Sequence, residues 1–183
     1  MIIILTQCFP SRLGGIESLV SNLALGLGKK EKVIVFADRH HLFYDAIYDN
    51  QYKDQIIVRR TGGLKFFRRR KKIRELKPFI ESNQVKLVIA DTWKSLELSI
   101  DLLNKKNIST ICLAHGNELL FSHAKKSQRI IKIFNSASSI IANSQFTLNL
   151  VKKLIANKDH IKFVYPGAND LRQTQSDNFM DIK

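Results

Sequence analysis

The sequence predicts a doubly wound α/β domain: a mostly parallel sheet with helices on both faces, of the Rossmann-like kind. Three observations predict it. Short runs rich in Ile, Val and Leu alternate with stretches of helical period along the whole chain. Several of those runs are apolar on both faces, as strands become when helices cover both sides of a parallel sheet. The length, 183 residues with 44% hydrophobic and 25% charged, suits one sizeable core of ordinary globular composition.

The expected strands, in order, are "IIILTQ" (Ile2 to Gln7), "KVIVFAD" (Lys32 to Asp38), "QIIVRR" (Gln55 to Arg60), "KLVIAD" (Lys86 to Asp91), "STICLAH" (Ser109 to His115), "SSIIAN" (Ser138 to Asn143) and "IKFVYP" (Ile161 to Pro166). Between the first two, Ile16, Leu19, Val20, Leu23 and Leu27 follow the i, i+3, i+4, i+7 rule, and Gly28 closes that helix. A second helix is expected over Lys72 to Ser82, with Pro78 starting or kinking it. A third covers Lys94 to Lys105, and a fourth lies between Glu118 and Asn135. The fifth runs from Ser144 to Ile155, with Ser144 as a natural N-cap. His40-His41 has no carboxylate or thiolate at useful spacing and reads as surface or loop. After Pro166-Gly167 the chain turns polar and patternless, like a linker.

No apolar run approaches the ~20 residues a membrane span requires. The opening "MIIIL" is too short for a signal-peptide core and lacks a basic lead-in. Cys8 and Cys112 stand far apart, outside any metal spacing, which suits a reducing compartment. A cytoplasmic protein is expected. The net charge of +14 points to an acidic partner: nucleic acid, an anionic membrane or a phosphorylated small molecule.

In a doubly wound sheet, ligands bind beyond the carboxyl ends of the strands. The loop Cys8 to Gly15 is the first on that edge. Gly14 and Gly15 let a ligand approach the main-chain N–H groups closely, and the start of a helix offers unsatisfied N–H groups with partial positive charge. Such a place binds phosphate. A plain tight turn, with Glu17 stabilising the helix start, explains the same residues, and G-x-G-x-x-G is not present. On the same edge, Asp91, Thr92 and Trp93 are acceptor candidates, with Asp91 equally able to cap the following helix; Asn143 and Ser144 are substrate candidates or caps; and His115 is either a satisfied structural residue or a group that donates or accepts at neutral pH.

Four stretches in order carry a resemblance: "FPSRLGGIESLVSNLALGL" (Phe9 to Leu27), "LAHGNE" (Leu113 to Glu118), "IIANSQFTLNLV" (Ile140 to Val151) and "VYPGAND" (Val164 to Asp170). Together they resemble the N-terminal half of the retaining GT-B glycosyltransferases of family 4. The resemblance implies two Rossmann-like domains facing a cleft. Residues 1–170 would be the acceptor-side domain and 171–183 a linker toward an absent C-terminal, donor-binding domain. The family's basic pair and Glu-x7-Glu element, which belong to that second domain, do not occur here, so the fragment alone would be inactive. Gly14 and Gly15 would face the donor diphosphate, and His115 would position the transferred sugar or stabilise developing charge. The donor would be a UDP- or GDP-linked sugar. No cofactor is implied. No metal is expected, since the chain lacks Asp-x-Asp.

From Lys65 to Lys77 the chain reads "KFFRRRKKIRELK", with eight basic residues against one acid, half of the whole excess charge. Phe66 and Phe67 precede Arg68, Arg69, Arg70, Lys71 and Lys72. Aromatics beside clustered cations suit an anionic headgroup layer, where each basic residue contributes about 1 kcal/mol. This segment is expected either to bring the protein to the inner face of the cell membrane or to form a solvated helix face. Nucleic acid fits less well, because the aromatics do not interleave with the cations as a stacking platform requires.

The function expected is transfer of a hexose-type sugar, with retention, to a glycan or lipid-linked acceptor in cell-envelope polysaccharide or glycolipid assembly. The alternative, of another class, is a non-catalytic basic α/β module that binds nucleic acid or anionic membrane.

Overall fold

The computed structural model describes residues 1–120 and 123–167, and at 65 and 66 the backbone alone. The expected linker, 171–183, and the membrane-contact role expected of the Phe66 side chain lie outside the described residues. Seven strands form one sheet: β1 (Ile2–Leu5), β2 (Val33–Asp38), β3 (Ile57–Thr61), β4 (Leu87–Ala90), β5 (Ser109–Ala114), β6 (Ser139–Ala142) and β7 (Ile161–Phe163). Every pairing is parallel, in the order β3-β2-β1-β4-β5-β6-β7. The doubly wound fold expected from the sequence is the one formed. The order turns back at β1 and β4, whose loops diverge and open a crevice at their carboxyl ends.

The helices are α1 (Gly15–Gly28), α2 (Leu42–Gln51), α3 (Lys65–Glu81), α4 (Trp93–Leu96), α5 (Ile100–Lys105), α6 (Gly116–Leu120), α7 (Ala124–Ser136) and α8 (Gln145–Leu154). Helix α2 stands in a stretch to which the sequence reading assigned no element. Its inward side holds only buried Asp45, with Tyr48 and Tyr52 packed against the core, while Leu42, Phe43, Tyr44 and Ile47 face solvent. An apolar face turned outward hides the helical period. The stretch expected as one helix from 94 to 105 breaks in two at Ser99, whose buried hydroxyl donates to the Leu96 carbonyl at 3.0 Å.

Alternation along the strands makes two cores. Ile3, Leu5, Ile34, Phe36 and Val88 face one side and pack against α3, α4, α5, α7 and α8. Ile2, Ile4, Val33, Val35 and Ile89 face the other, beneath α1. That second side is only partly roofed. Leu87, Ile89, Ile111, Leu113 and Ile141 look into a trough of about 640 Å³, bounded by α1 and by residues 164–167.

Helix α3 starts at Lys65, earlier than the expected Lys72, because several of its cations have partners inside the fold. Lys72 is buried, and its Nζ donates to the Thr6 carbonyl and, at 2.6 Å, to Asp38. Arg69 donates to the Lys94 carbonyl at 2.7 Å and pairs with Glu97 at 2.6 Å. Arg68 donates to the Gly63 carbonyl at 2.6 Å and lies 3.8 Å from Asp38. The membrane role expected of Lys72 is thereby corrected: its charge is taken up by Asp38 and the end of β1.

Lys72→Met keeps the aliphatic stem and leaves Asp38 with Arg68 alone. Removing one partner of a mostly buried pair costs about 3 kcal/mol. The urea midpoint of the variant is expected to fall by that equivalent at an unchanged slope.

Candidate active site

A cavity of about 790 Å³ opens where the strands end. It is walled by Gln7 and Cys8 after β1, Gly15 and Ile16 at the start of α1, Asp91 and Thr92 after β4, His115 to Glu118 after β5, and Asn143 and Ser144 after β6.

The first loop is fixed from outside. Buried Asp45 accepts hydrogen bonds from Ser11 Oγ at 2.7 Å, Ser11 N at 3.3 Å and His40 N at 2.8 Å. Arg60 binds Asp49 at 2.7 Å and the Pro10 carbonyl. Burial alone would raise the Asp45 carboxyl; its donors and Arg60 outweigh that and hold it below the usual range. The glycines then differ. Gly14 is extended, and a Cβ there would run into the Glu17 carboxylate. At Gly15 a Cβ would meet nothing within 4 Å, although this residue lines the cavity. Glu17 does not oppose an anion freely, because Arg12 Nε pairs with it at 3.0 Å. The first amides of α1 have no intrahelical acceptor, and no side chain caps them.

Asp91 joins the loops. Its Oδ2 accepts from Thr6 Oγ1 at 2.7 Å and from Gln7 N at 3.1 Å. It does not cap the next helix; Thr92 occupies that position, without a side-chain cap bond. Its carbonyl lies 2.9 Å from His115 Nε2, which assigns the ring proton to that nitrogen. Nδ1 is then an acceptor and takes a hydrogen bond from Asn143 Nδ2 at 3.3 Å. Thr147 Oγ1 donates to Asn143 Oδ1 at 2.9 Å, and the Ser144 hydroxyl lies 2.9 Å from Thr147 Oγ1. Ser144 also caps α8, accepting from Thr147 N at 3.1 Å. A single directional chain thus runs from Ser144 through Thr147 and Asn143 to the imidazole, and sets its tautomer and plane.

Glu118 completes this corner. Its Oε1 accepts from His115 N at 3.2 Å. Burial, with a further contribution from the Asp91 carboxylate, pushes its carboxyl up to about 8 against the opposing amide bond. At neutral pH it is mostly the neutral acid, able to donate as well as accept. Cys8 is pushed up to about 11, by burial first and then by Asp91 and Glu17, so it stays a thiol. Phe146 offers an exposed ring at the cavity wall beside Gly116.

The structure brings Gly15, Asp91, Thr92, His115, Asn143 and Ser144 to one hollow. Gly14 precedes α1 and is not among the lining residues, and the basic segment of α3 lies elsewhere. Sequence reasoning gave no separate role to Thr6, Glu118 and Thr147. Thr6 carried a usable signal, as the polar residue that ends an otherwise apolar strand.

The sequence model of glycosyltransferase family 4 matches residues 13–171. No curated protein matches the chain. Among solved structures, Anabaena HepE in complex with UDP and glucose superposes with a TM-score of 0.68 at 18% identity, over 92% of this chain and 45% of that one. The lipopolysaccharide outer core galactosyltransferase WaaB gives 0.61 at 15% identity, over 90% and 45%. The UDP-GlcNAc 2-epimerase of Methanocaldococcus jannaschii gives 0.60 at 13% identity, over 90% and 45%. The chain spans less than half the length of each of these proteins. At such identities the superpositions establish the shared fold.

The raised carboxyl of Glu118 links to stability. Its ordinary value is 4.5 and its value in the fold about 8, so the folded chain holds a proton that the unfolded chain releases. This contribution is complete below 4.5 and is lost as pH rises through about 8. Glu118→Gln, neutral throughout, is expected to flatten the decline of unfolding free energy with pH across that window, as read by urea titration.

Proposed function

The chain belongs to glycosyltransferase family 4, and from that premise we propose that it is the acceptor-side lobe of a nucleotide-sugar-dependent, retaining glycosyltransferase. The observation that carries the reading is the shared hollow of Gly15 and His115 at the strand ends. A bare helix start with space in place of a side chain suits a diphosphate. An imidazole with a fixed acceptor nitrogen suits a sugar hydroxyl. Exchange of the 3.3 Å Asn143 contact for that hydroxyl would bring His115 to the substrate. Catalysis would come from positioning and from stabilising the leaving diphosphate.

The donor is a UDP- or GDP-linked hexose and the acceptor a glycan or lipid-linked sugar of the cell envelope, handled in the cytoplasm. HepE and WaaB, one bound to UDP and glucose and one a lipopolysaccharide galactosyltransferase, support this assignment. A second lobe would close the cleft from the far side. The unroofed apolar trough, with residues 164–167 along its rim, supports further chain packing there. No observation favours the alternative of a nucleic-acid module.

Two substitutions test the reading in the complete protein, with transfer measured from a panel of UDP- and GDP-sugars. Gly15→Ala adds one methyl to open space, so the unfolding midpoint is expected to hold while the donor KM rises about tenfold. His115→Ala is expected to lower kcat about 100-fold. Full activity in both would remove the proposed site.

A further inference from the structure

The cavity has two walls of different chemistry. Helix α1 packs on one face of the sheet, and α4, α6 and α8 pack on the other, so the hollow at the strand ends lies between them. The α1 wall holds Gly15 and the uncapped amides that suit a diphosphate. The opposite wall carries Lys94, Asn117 and Phe146, and the diphosphate and His115 account for none of them.

Phe146 stands in the first turn of α8 and is 56% exposed. Its ring passes beside Gly116, where a Cβ would lie 3.4 Å from Phe146 Cε1. The next residue, Asn117, is exposed, and its amide makes no hydrogen bond among the described residues. An open aromatic ring next to an unengaged amide suits a sugar. The C–H face of the sugar packs on the ring, and its hydroxyls meet a group that both donates and accepts.

Lys94 adds charge to this wall. Its Nζ lies 5.7 Å from the centre of the buried Trp93 ring and pairs with no carboxylate among the described residues. The acids around it are engaged or neutral. Glu97 binds Arg69 at 2.6 Å and Arg129 at 2.5 Å. Asp91 accepts from Thr6 and Gln7. Burial keeps Glu118 mostly protonated at neutral pH. A cation left over in such a hollow complements an incoming anion.

We propose that this wall is the acceptor subsite and takes a sugar with an anionic substituent, a uronate carboxylate or a phosphate ester: the sugar ring lies on Phe146, its hydroxyls meet Asn117, and its anion meets Lys94. The inference rests on the glycosyltransferase reading and names the class of acceptor. In that reading the donor diphosphate lies across the cavity, at a helix start on the other face of the sheet, so the two anions are held apart.

The test measures sugar binding to the complete protein in the absence of donor, by saturation-transfer NMR. The probes are glucose, galactose and mannose, each as the free sugar, the uronate and the 6-phosphate. Urea unfolding checks that each variant is folded. For the hexose that binds best, at least one acidic form is expected to bind about tenfold more tightly than the neutral sugar, and which one identifies the substituent. Lys94→Gln is expected to remove that preference and leave the neutral sugar unaffected. Phe146→Ala is expected to weaken neutral and acidic forms alike, about fivefold. Calorimetry is expected to give an unchanged affinity for UDP in both variants. Neutral sugars binding as tightly as acidic ones, or no probe binding at all, overturns the proposal. So does inorganic phosphate binding as tightly as the best 6-phosphate, which would mark a bare anion site. A loss of UDP affinity in Lys94→Gln also overturns it, by giving this cation to the donor. All of these outcomes leave the transfer reaction standing, because Gly15→Ala and His115→Ala test that separately.

Discussion

Asp91 sits buried where the strand order turns back, and it holds three loops through two different groups. Its carboxylate takes the Thr6 hydroxyl and the Gln7 amide from the end of β1. Its carbonyl takes the imidazole proton of His115 from the end of β5. A doubly wound sheet leaves a crevice at this point in any case, because its loops diverge there. What Asp91 adds is a fixed spacing across the crevice. A carboxylate with so little solvent needs donors to offset its burial, and both come from the end of β1, just before the glycine-bearing loop. The wall that presents the bare helix start and the wall that presents the imidazole are therefore coupled.

Around that tie, neighbouring groups settle one another's protons. The Asp91 carboxylate contributes to raising both Glu118 and Cys8. The cavity thus holds the Asp91 carboxylate and Lys94 beside a neutral acid and a thiol. The imidazole donates to a carbonyl and accepts from an amide, and that amide is oriented by the Thr147 hydroxyl. Such a wall can hold sugar hydroxyls with directed donors and acceptors. Part of the dense positive charge of α3 is taken up inside the fold, where Lys72, Arg68 and Arg69 anchor the helix.

Much of the sheet was legible in the sequence, because parallel strands covered by helices leave unbroken apolar runs such as "IIIL" and "VIVFA". The first helix and the Ser144 cap were legible for the same reason: local spacing and local chemistry decide them. Helix α2 was not, because its apolar residues face outward and its inward anchor is an aspartate. The start of α3 was not, because a run of cations reads as surface until Asp38, Glu97 and three carbonyls are found opposite it. At the site, residue types and their edge of the sheet were readable. The roles of Thr6, Glu118 and Thr147 were not, since each depends on contacts set by the tertiary fold.

The central claim is geometric: the amides that open α1 and the imidazole of His115 serve one substrate. A crystal structure of the complete protein with a non-hydrolysable nucleotide-sugar analogue measures it directly. The account predicts the diphosphate oxygens within hydrogen-bond distance of the Gly15 and Ile16 amides, and the sugar against His115. A diphosphate bound away from the start of α1, with the sugar out of reach of the imidazole, would contradict it.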